Sequence, residues 1–186
     1  MTIYIHGFAS SAQGIKAKAF RKYFQEYKLD FIAPSLSYIP ELAISTLEEM
    51  IESYLPNVTL IGSSLGGYYS IYLANKYGLK ATLINPSIHP NITLQKVLGK
   101  PTSFYDGSTF EWNEKHIQML KRYKVNAATE KNFMLLLQKG DETLDYKEAI
   151  KKLPNSNIIL EENGNHSFEN IENHFQKIKE FFLLSS

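Results

Sequence analysis

The sequence contains no cysteine, which excludes a disulfide framework, a thiolate nucleophile and thiol-ligated zinc or iron–sulfur sites. Any nucleophile must carry oxygen or nitrogen. An excess of either charge is also missing: 20 Lys and Arg against 19 Asp and Glu leave a formal +1. With both signs mixed along the chain there is no electrostatic footprint for nucleic acid or an anionic membrane. A small, neutral substrate fits that balance better. Long apolar runs are absent, since a stretch such as 133–137, FMLLL, is far too short for a bilayer-spanning helix, and no membrane insertion is expected. Met1 runs directly into Thr2-Ile3-Tyr4-Ile5, without the basic region and apolar segment of a secretory signal, so a cytoplasmic protein is expected. No repeat, low-complexity tract or linker divides the chain, and residues 1–186 read as one domain.

What is present is an alternation. Short apolar runs at 3–5, 31–33, 58–61, 81–84, 133–137 and 158–160 do not alternate with polar residues, the pattern of strands covered on both faces. Segments with helical spacing lie between them, at 13–28, 41–55, 65–77, 145–153 and 170–184. Parallel neighbours need crossover connections, so the order predicts an α/β fold: a doubly wound, mostly parallel sheet of about six strands with helices on both faces. One segment breaks the rhythm. Residues 87–130 hold Phe104, Tyr105, Phe110 and the only tryptophan, Trp112; they read either as a short lid or as an ordinary insertion with one helix near 114–122. Its departure from the carboxyl end of the fourth strand, where ligands of open α/β sheets bind, favours the lid. The four aromatic residues suit an apolar pocket or simple packing of a small core.

The spacing G-x-S-x-G occurs in Gly62-Ser63-Ser64-Leu65-Gly66, where the strand 58–61 passes into a helix. Ser64 is the central serine. A nucleophile elbow holds its serine on a strained turn whose neighbours two residues away must be small, which gives Gly62 and Gly66 a purpose. The turn also sets the hydroxyl at a helix N-terminus, where developing negative charge is favoured. Gly67 then permits close helix–sheet packing. A glycine-rich connection without chemistry would use similar residues, so the motif needs partners.

A serine hydroxyl is a poor nucleophile until a base takes its proton. Of the five histidines, His166 is best placed, in the polar loop after strand 158–160. His89 and His116 lie in the insertion, and His174 falls within the final helix, on its expected surface. The base needs an acid that fixes its tautomer. Asp141 emerges after strand 133–137 and is preferred for that position; Asp145 is the rival, and it could equally cap the next helix. An oxyanion requires backbone N–H donors, for which Leu65 and Phe8 are the candidates. His6 beside them reads as a buried structural histidine bonded to its own loop. The histidines show no metal-ligand clustering and the Ser-His-Asp set needs neither metal nor organic cofactor, so none is expected.

Several ordered motifs then act together: YIHGFASS at 4–11, GSSLGGY at 62–68, Asn85-Pro86, GDETLDY at 140–146 and GNHSF at 164–168. This combination resembles the YqiA-like esterase family of small α/β hydrolases over essentially the whole chain. The resemblance implies a carboxylic ester or thioester hydrolase with Ser64 as nucleophile, Asp141 as acid and His166 as base. It also implies a reduced α/β-hydrolase fold that begins at the third strand of the general pattern, with spatial order 2-1-3-4-5-6. The implied partner is a small-molecule ester or thioester. An acyltransferase on the same triad, and a hydrolase-fold binding protein without turnover, are the alternatives. Natural substrate and oligomeric state are not legible.

Overall fold

The computed structural model describes residues 1–183. Its six strands are β1 (Thr2–Ile5), β2 (Phe31–Ile32), β3 (Thr59–Ser63), β4 (Lys80–Ile84), β5 (Phe133–Gln138) and β6 (Asn157–Glu161). They form one sheet in the order β2-β1-β3-β4-β5-β6, and every adjacent pair is parallel. The spatial order implied by the resemblance is the observed one. β2, expected over three residues, pairs through only two, Phe31 and Ile32.

Among the described residues there are seven α-helices: α1 (Ile15–Glu26), α2 (Pro40–Tyr54), α3 (Leu65–Tyr77), α4 (Pro90–Thr93), α5 (Glu114–Lys121), α6 (Tyr146–Lys152) and α7 (Phe175–Leu183). The helix expected over 170–184 is divided, with a 3-10 turn at Ile171–His174 before α7; its expected last residue, Leu184, lies outside the described residues. His174 is consequently not on a helix surface. It is buried at that turn and Nε2 lies 2.9 Å from Glu161 Oε1 at the end of β6, because the turn faces the sheet.

Alternate strand residues feed two cores. Ile3, Ile5, Leu60, Leu83, Leu135 and Leu137 point to the face covered by α2, α3 and α6. Tyr4, Ile61, Met134 and Leu136 point to the opposite face, under Phe20 and Phe24 of α1 and Phe175, Ile178 and Phe181 of α7. This is why the strands read as unbroken apolar runs: both pleat faces are dry. Each fully buried Leu or Phe side chain contributes about 1.5–3 kcal/mol, so the two layers hold the sheet rigid beneath its loops.

Segment 87–130 contains α4 and α5 and, between them, an arm whose two sides pair at Gly99 with Trp112 and at Thr102 with Thr109. Trp112 anchors the arm; it is fully buried, its ring edge-on to Phe8 at 4.8 Å, and its Nε1–H donates to the Leu94 carbonyl. At the arm's tip the Phe104 N–H donates to the Ala9 carbonyl at 2.8 Å. The aromatic residues thus divide: Trp112 and half-buried Phe110 pack, whereas Phe104 and Tyr105 stay exposed.

Candidate active site

Parallel register brings the carboxyl ends of the strands to one edge: Ile5 stands opposite Gly62, Ser63 opposite Ile84, and Gln138 opposite Glu161. Just beyond that edge β3 stops and α3 starts, with Ser64 between them at φ 54° and ψ −118°. A non-glycine residue there is strained and must be held. The Ser64 N–H donates to the Ile84 carbonyl at 3.1 Å, and the Ser64 carbonyl accepts from the N–H groups of Gly67, Tyr68 and Ser87. The neighbouring hydroxyl is excluded from this position, because Ser63 ends β3, is buried and pairs with the Tyr4 side chain.

The turn has no room for side chains on either flank. A Cβ on Gly66 would come 2.0 Å from the Ile5 carbonyl oxygen, and one on Gly62 would come 2.3 Å from the Gly66 carbonyl oxygen. Gly67 is packed against Pro86, whose Cβ would lie 2.6 Å away. The loop after β1 passes directly over the serine, with an added Cβ at Gly7 only 3.1 Å from Ser64 Cβ. Phe8, the next residue, lines the same cleft as Ser64. Among the described residues, no protein acceptor occupies the N–H of Phe8 or of Leu65.

The other expected partners meet Ser64. His166 Nε2 lies 3.1 Å from Ser64 Oγ, and His166 Nδ1 lies 2.9 Å from Asp141 Oδ2 and 3.0 Å from Oδ1. Asp141 also accepts from the N–H groups of Thr143 and Leu144, both at 2.8 Å, which fixes its carboxylate with a side chain only 2% exposed. Asp145 takes the other role available to it. It is the N-cap of α6, accepting from the Lys147 N–H at 2.9 Å, and makes no contact with His166. His6 accepts the Leu36 N–H at Nε2 and donates from Nδ1 to the Gly7 carbonyl, so it is neutral and structural. Burial, its largest influence, pulls its pKa below the ordinary value. His116 is also structural, closing a capping box with Asn113 at the start of α5. His89 lies beside Glu148 and is not among the residues lining the cleft at this edge.

Two residues that position the histidine loop carried no message in the sequence beyond the presence of Asn85 in the Asn85-Pro86 motif. Asn85, at φ 39°, accepts the Gln138 N–H and donates to the Asn165 carbonyl, both at 3.0 Å. Buried Gln138 accepts from the N–H groups of Asn165 and Glu169 and donates to Glu161 and to the Glu169 carbonyl. A third tether is Glu142, whose Oε2 accepts the His166 N–H at 3.0 Å. Hydrogen bonds from its own backbone and then from His166 hold its carboxyl below the ordinary range. Buried amides satisfied at every atom impose one loop geometry, since any slip leaves a polar atom unpaired.

A cleft of about 550 Å³ opens at this edge, lined by Ser64, His166, Phe8, Lys16, Ile15 and Phe104 among others. Among the described residues no group of three His, Asp or Glu stands where it could share a metal ion, and no helix is long and apolar enough to cross a membrane.

The model of the family described as Uncharacterised protein family (UPF0227) matches residues 1–183. The chain belongs to the UPF0227 family. This is the YqiA-like family that the motifs resemble. UPF0227 proteins of Vibrio cholerae O1 strain O395 and Shewanella sp. strain MR-4 are each 27% identical to it, over 97% and 98% of this chain and 98% and 99% of theirs. Solved structures place this UPF0227 chain in the α/β-hydrolase fold. Alpha/beta hydrolase domain-containing protein 10 from mouse superposes with a TM-score of 0.74 at 18% identity, covering 96% of this chain and 88% of that one. Est1E from Butyrivibrio proteoclasticus, solved with ferulic acid bound, gives 0.71 at 13% identity, covering 98% and 87%.

Proposed function

We propose that this protein is a serine hydrolase that cleaves carboxylic esters or thioesters through an acyl-enzyme. The observation that carries the reading is the unbroken hydrogen-bond chain from Ser64 Oγ through His166 to Asp141, at 3.1 and 2.9 Å, ending on a strained strand-to-helix turn. With Nδ1–H directed to Asp141, the Nε2 lone pair is left to accept the Ser64 proton. Ser64 Oγ attacks the carbonyl carbon, His166 takes its proton, and the oxyanion is held by the Phe8 and Leu65 N–H groups. His166 then protonates the departing alcohol or thiolate as the acyl bond breaks. Water then attacks the acyl carbon as His166 takes its proton, and His166 returns that proton to Ser64 Oγ as the bond to serine breaks and the acid leaves. The His166 side chain is 26% exposed beside an open cleft, which favours water over an added alcohol as acceptor.

The test is covalent. A fluorophosphonate probe is expected to modify the wild-type protein once, with the adduct mapped by peptide mass spectrometry to the segment holding Ser64. An adduct on any other residue, or no adduct in protein that hydrolyses p-nitrophenyl acetate, would overturn the reading.

The mouth of the cleft bears on the acyl group. Ile15 and Phe104 line it, yet they are 88% and 84% exposed, an apolar pair suited to an aliphatic or aromatic chain that extends past the serine. Phe104→Ser is accordingly expected to raise KM for p-nitrophenyl hexanoate by about fivefold relative to the acetate, with kcat little changed, the pattern of lost uniform binding. Equal effects on both esters would assign Phe104 no part in chain recognition.

A further inference from the structure

Lys16 lines the same cleft and has no part in the hydrolysis described above. It is the second residue of α1, and its half-buried side chain runs along the cleft wall. Its Nζ donates to the carbonyl of Ser167 at 2.7 Å, joining residues 151 positions apart. Among the described residues that carbonyl is its only hydrogen-bond acceptor. Lysine at a surface ordinarily keeps its ammonium in water.

The partner is the residue after His166. Asn85, Gln138 and Glu142 secure the histidine loop at Asn165, at the His166 N–H and at Glu169, all from the β4 and β5 side. At Ser167 the loop is secured from the opposite wall, by Lys16. The base is therefore bracketed on both sides. Asp141 attracts the ammonium across the same space.

We propose that Lys16 is a positioning residue for His166: its ammonium clamps the Ser167 carbonyl, keeping Nε2 on Ser64. The inference rests on the hydrolase reading above. Asp141, from the loop after β5, acts on the ammonium; His166, Glu169 and Glu172 from the segment after β6 and Tyr4 from β1 are the other titratable groups lining the same cleft, while Arg21 of α1 turns back to the Ala12 carbonyl. Burial is the largest influence on Lys16 and pulls its pKa down to about 8, with Asp141 opposing. As pH rises through that value the ammonium becomes an amine, and the charge-assisted bond weakens to a neutral one. Turnover then falls on the alkaline side. Stability moves the other way: between about pH 8 and the unfolded value near 10.5 the unfolded chain binds the extra proton, so this group's contribution to stability rises with pH. A fall in turnover over that window is not unfolding caused by Lys16.

The experiment compares wild type, Lys16→Met and Lys16→Arg by kcat and KM for p-nitrophenyl acetate across the pH range, with fluorophosphonate labelling rate and thermal unfolding alongside. Lys16→Met is expected to lower kcat and labelling rate about tenfold, with KM nearly constant and the alkaline fall abolished, the size expected for a slightly misplaced base. Lys16→Arg retains most of kcat and carries its alkaline fall to higher pH, because guanidinium stays charged. If the Met variant fails to fold, the shift in the Arg profile decides. Ser64 labelling with unchanged rates and an unchanged alkaline limb in the variants overturns the clamp alone. So does a rise in KM confined to a p-nitrophenyl ester bearing a terminal carboxylate, which would make Lys16 a substrate contact. Absence of Ser64 labelling in wild type overturns the hydrolase reading and this inference with it.

Discussion

Ser64→Ala is expected to lower kcat for ester hydrolysis by about 10⁶-fold and Asp141→Asn by about 10⁴-fold, whereas Asp145→Asn leaves it within about twofold. The first loss removes the atom proposed to form the acyl-enzyme. The second is instructive because asparagine keeps the shape of the side chain: its amide oxygen can still accept from Thr143 and Leu144, as Asp141 Oδ1 does now. Its NH₂ would then face Nδ1 as a donor, turning the imidazole to the wrong tautomer and removing the negative charge that stabilises imidazolium. Asp145 faces the start of α6, and its loss costs only a helix cap, about 1 kcal/mol of stability. Steady-state kinetics on the three variants, with thermal unfolding to register the cap, checks both halves. Equal activity in wild type and Asp141→Asn would remove the acid from the mechanism.

Gly66→Ala is expected to destabilise the protein by about 3 kcal/mol or more and to abolish fluorophosphonate labelling even in molecules that remain folded. The added Cβ would lie 2.0 Å from the Ile5 carbonyl oxygen and 2.7 Å from that of His6. Both obstacles are backbone, so no side-chain rotation relieves the clash. Ile5 is also a register partner of Gly62, and displacing it pulls the end of β1 away from β3. The loop that brings Gly7 over Ser64 and continues into Phe8 starts there, so the candidate oxyanion donor moves with the strand. Thermal unfolding and probe labelling read the two consequences separately. A variant with wild-type melting temperature and labelling rate would show that the turn tolerates what its geometry forbids.

The sheet was legible because its chemistry is local. Runs such as 81–84 and 133–137 announce strands buried on both faces, and G-x-S-x-G between a strand and a helix singles out Ser64 from Ser63. The choice between Asp141 and Asp145 was not fully legible, since both follow β5 and precede a helix; only the fold shows one side chain sealed against His166 and the other capping α6. His174 was misplaced because helical periodicity continues through 171–174, and spacing does not reveal that this turn is 3-10 and faces Glu161. Asn85, Gln138 and Lys16 were silent for a different reason. Their roles consist of bonds to residues 80, 27 and 151 positions away, and no local pattern records such partners.

The site is also ordered in time. Ser64 and His166 are separated by 102 positions, and the histidine loop follows β6, the edge strand of the sheet. During synthesis, a chain extended only through β5 and the Asp141 loop would hold Ser64, its turn and the proposed acid, but not the proposed base. The hydroxyl would be as unreactive as any other. Under the proposed mechanism, Ser64 becomes reactive only once β6 has paired with β5 and the histidine loop has closed over Asn85 and Gln138, so probe labelling of Ser64 is expected to report that this docking is complete.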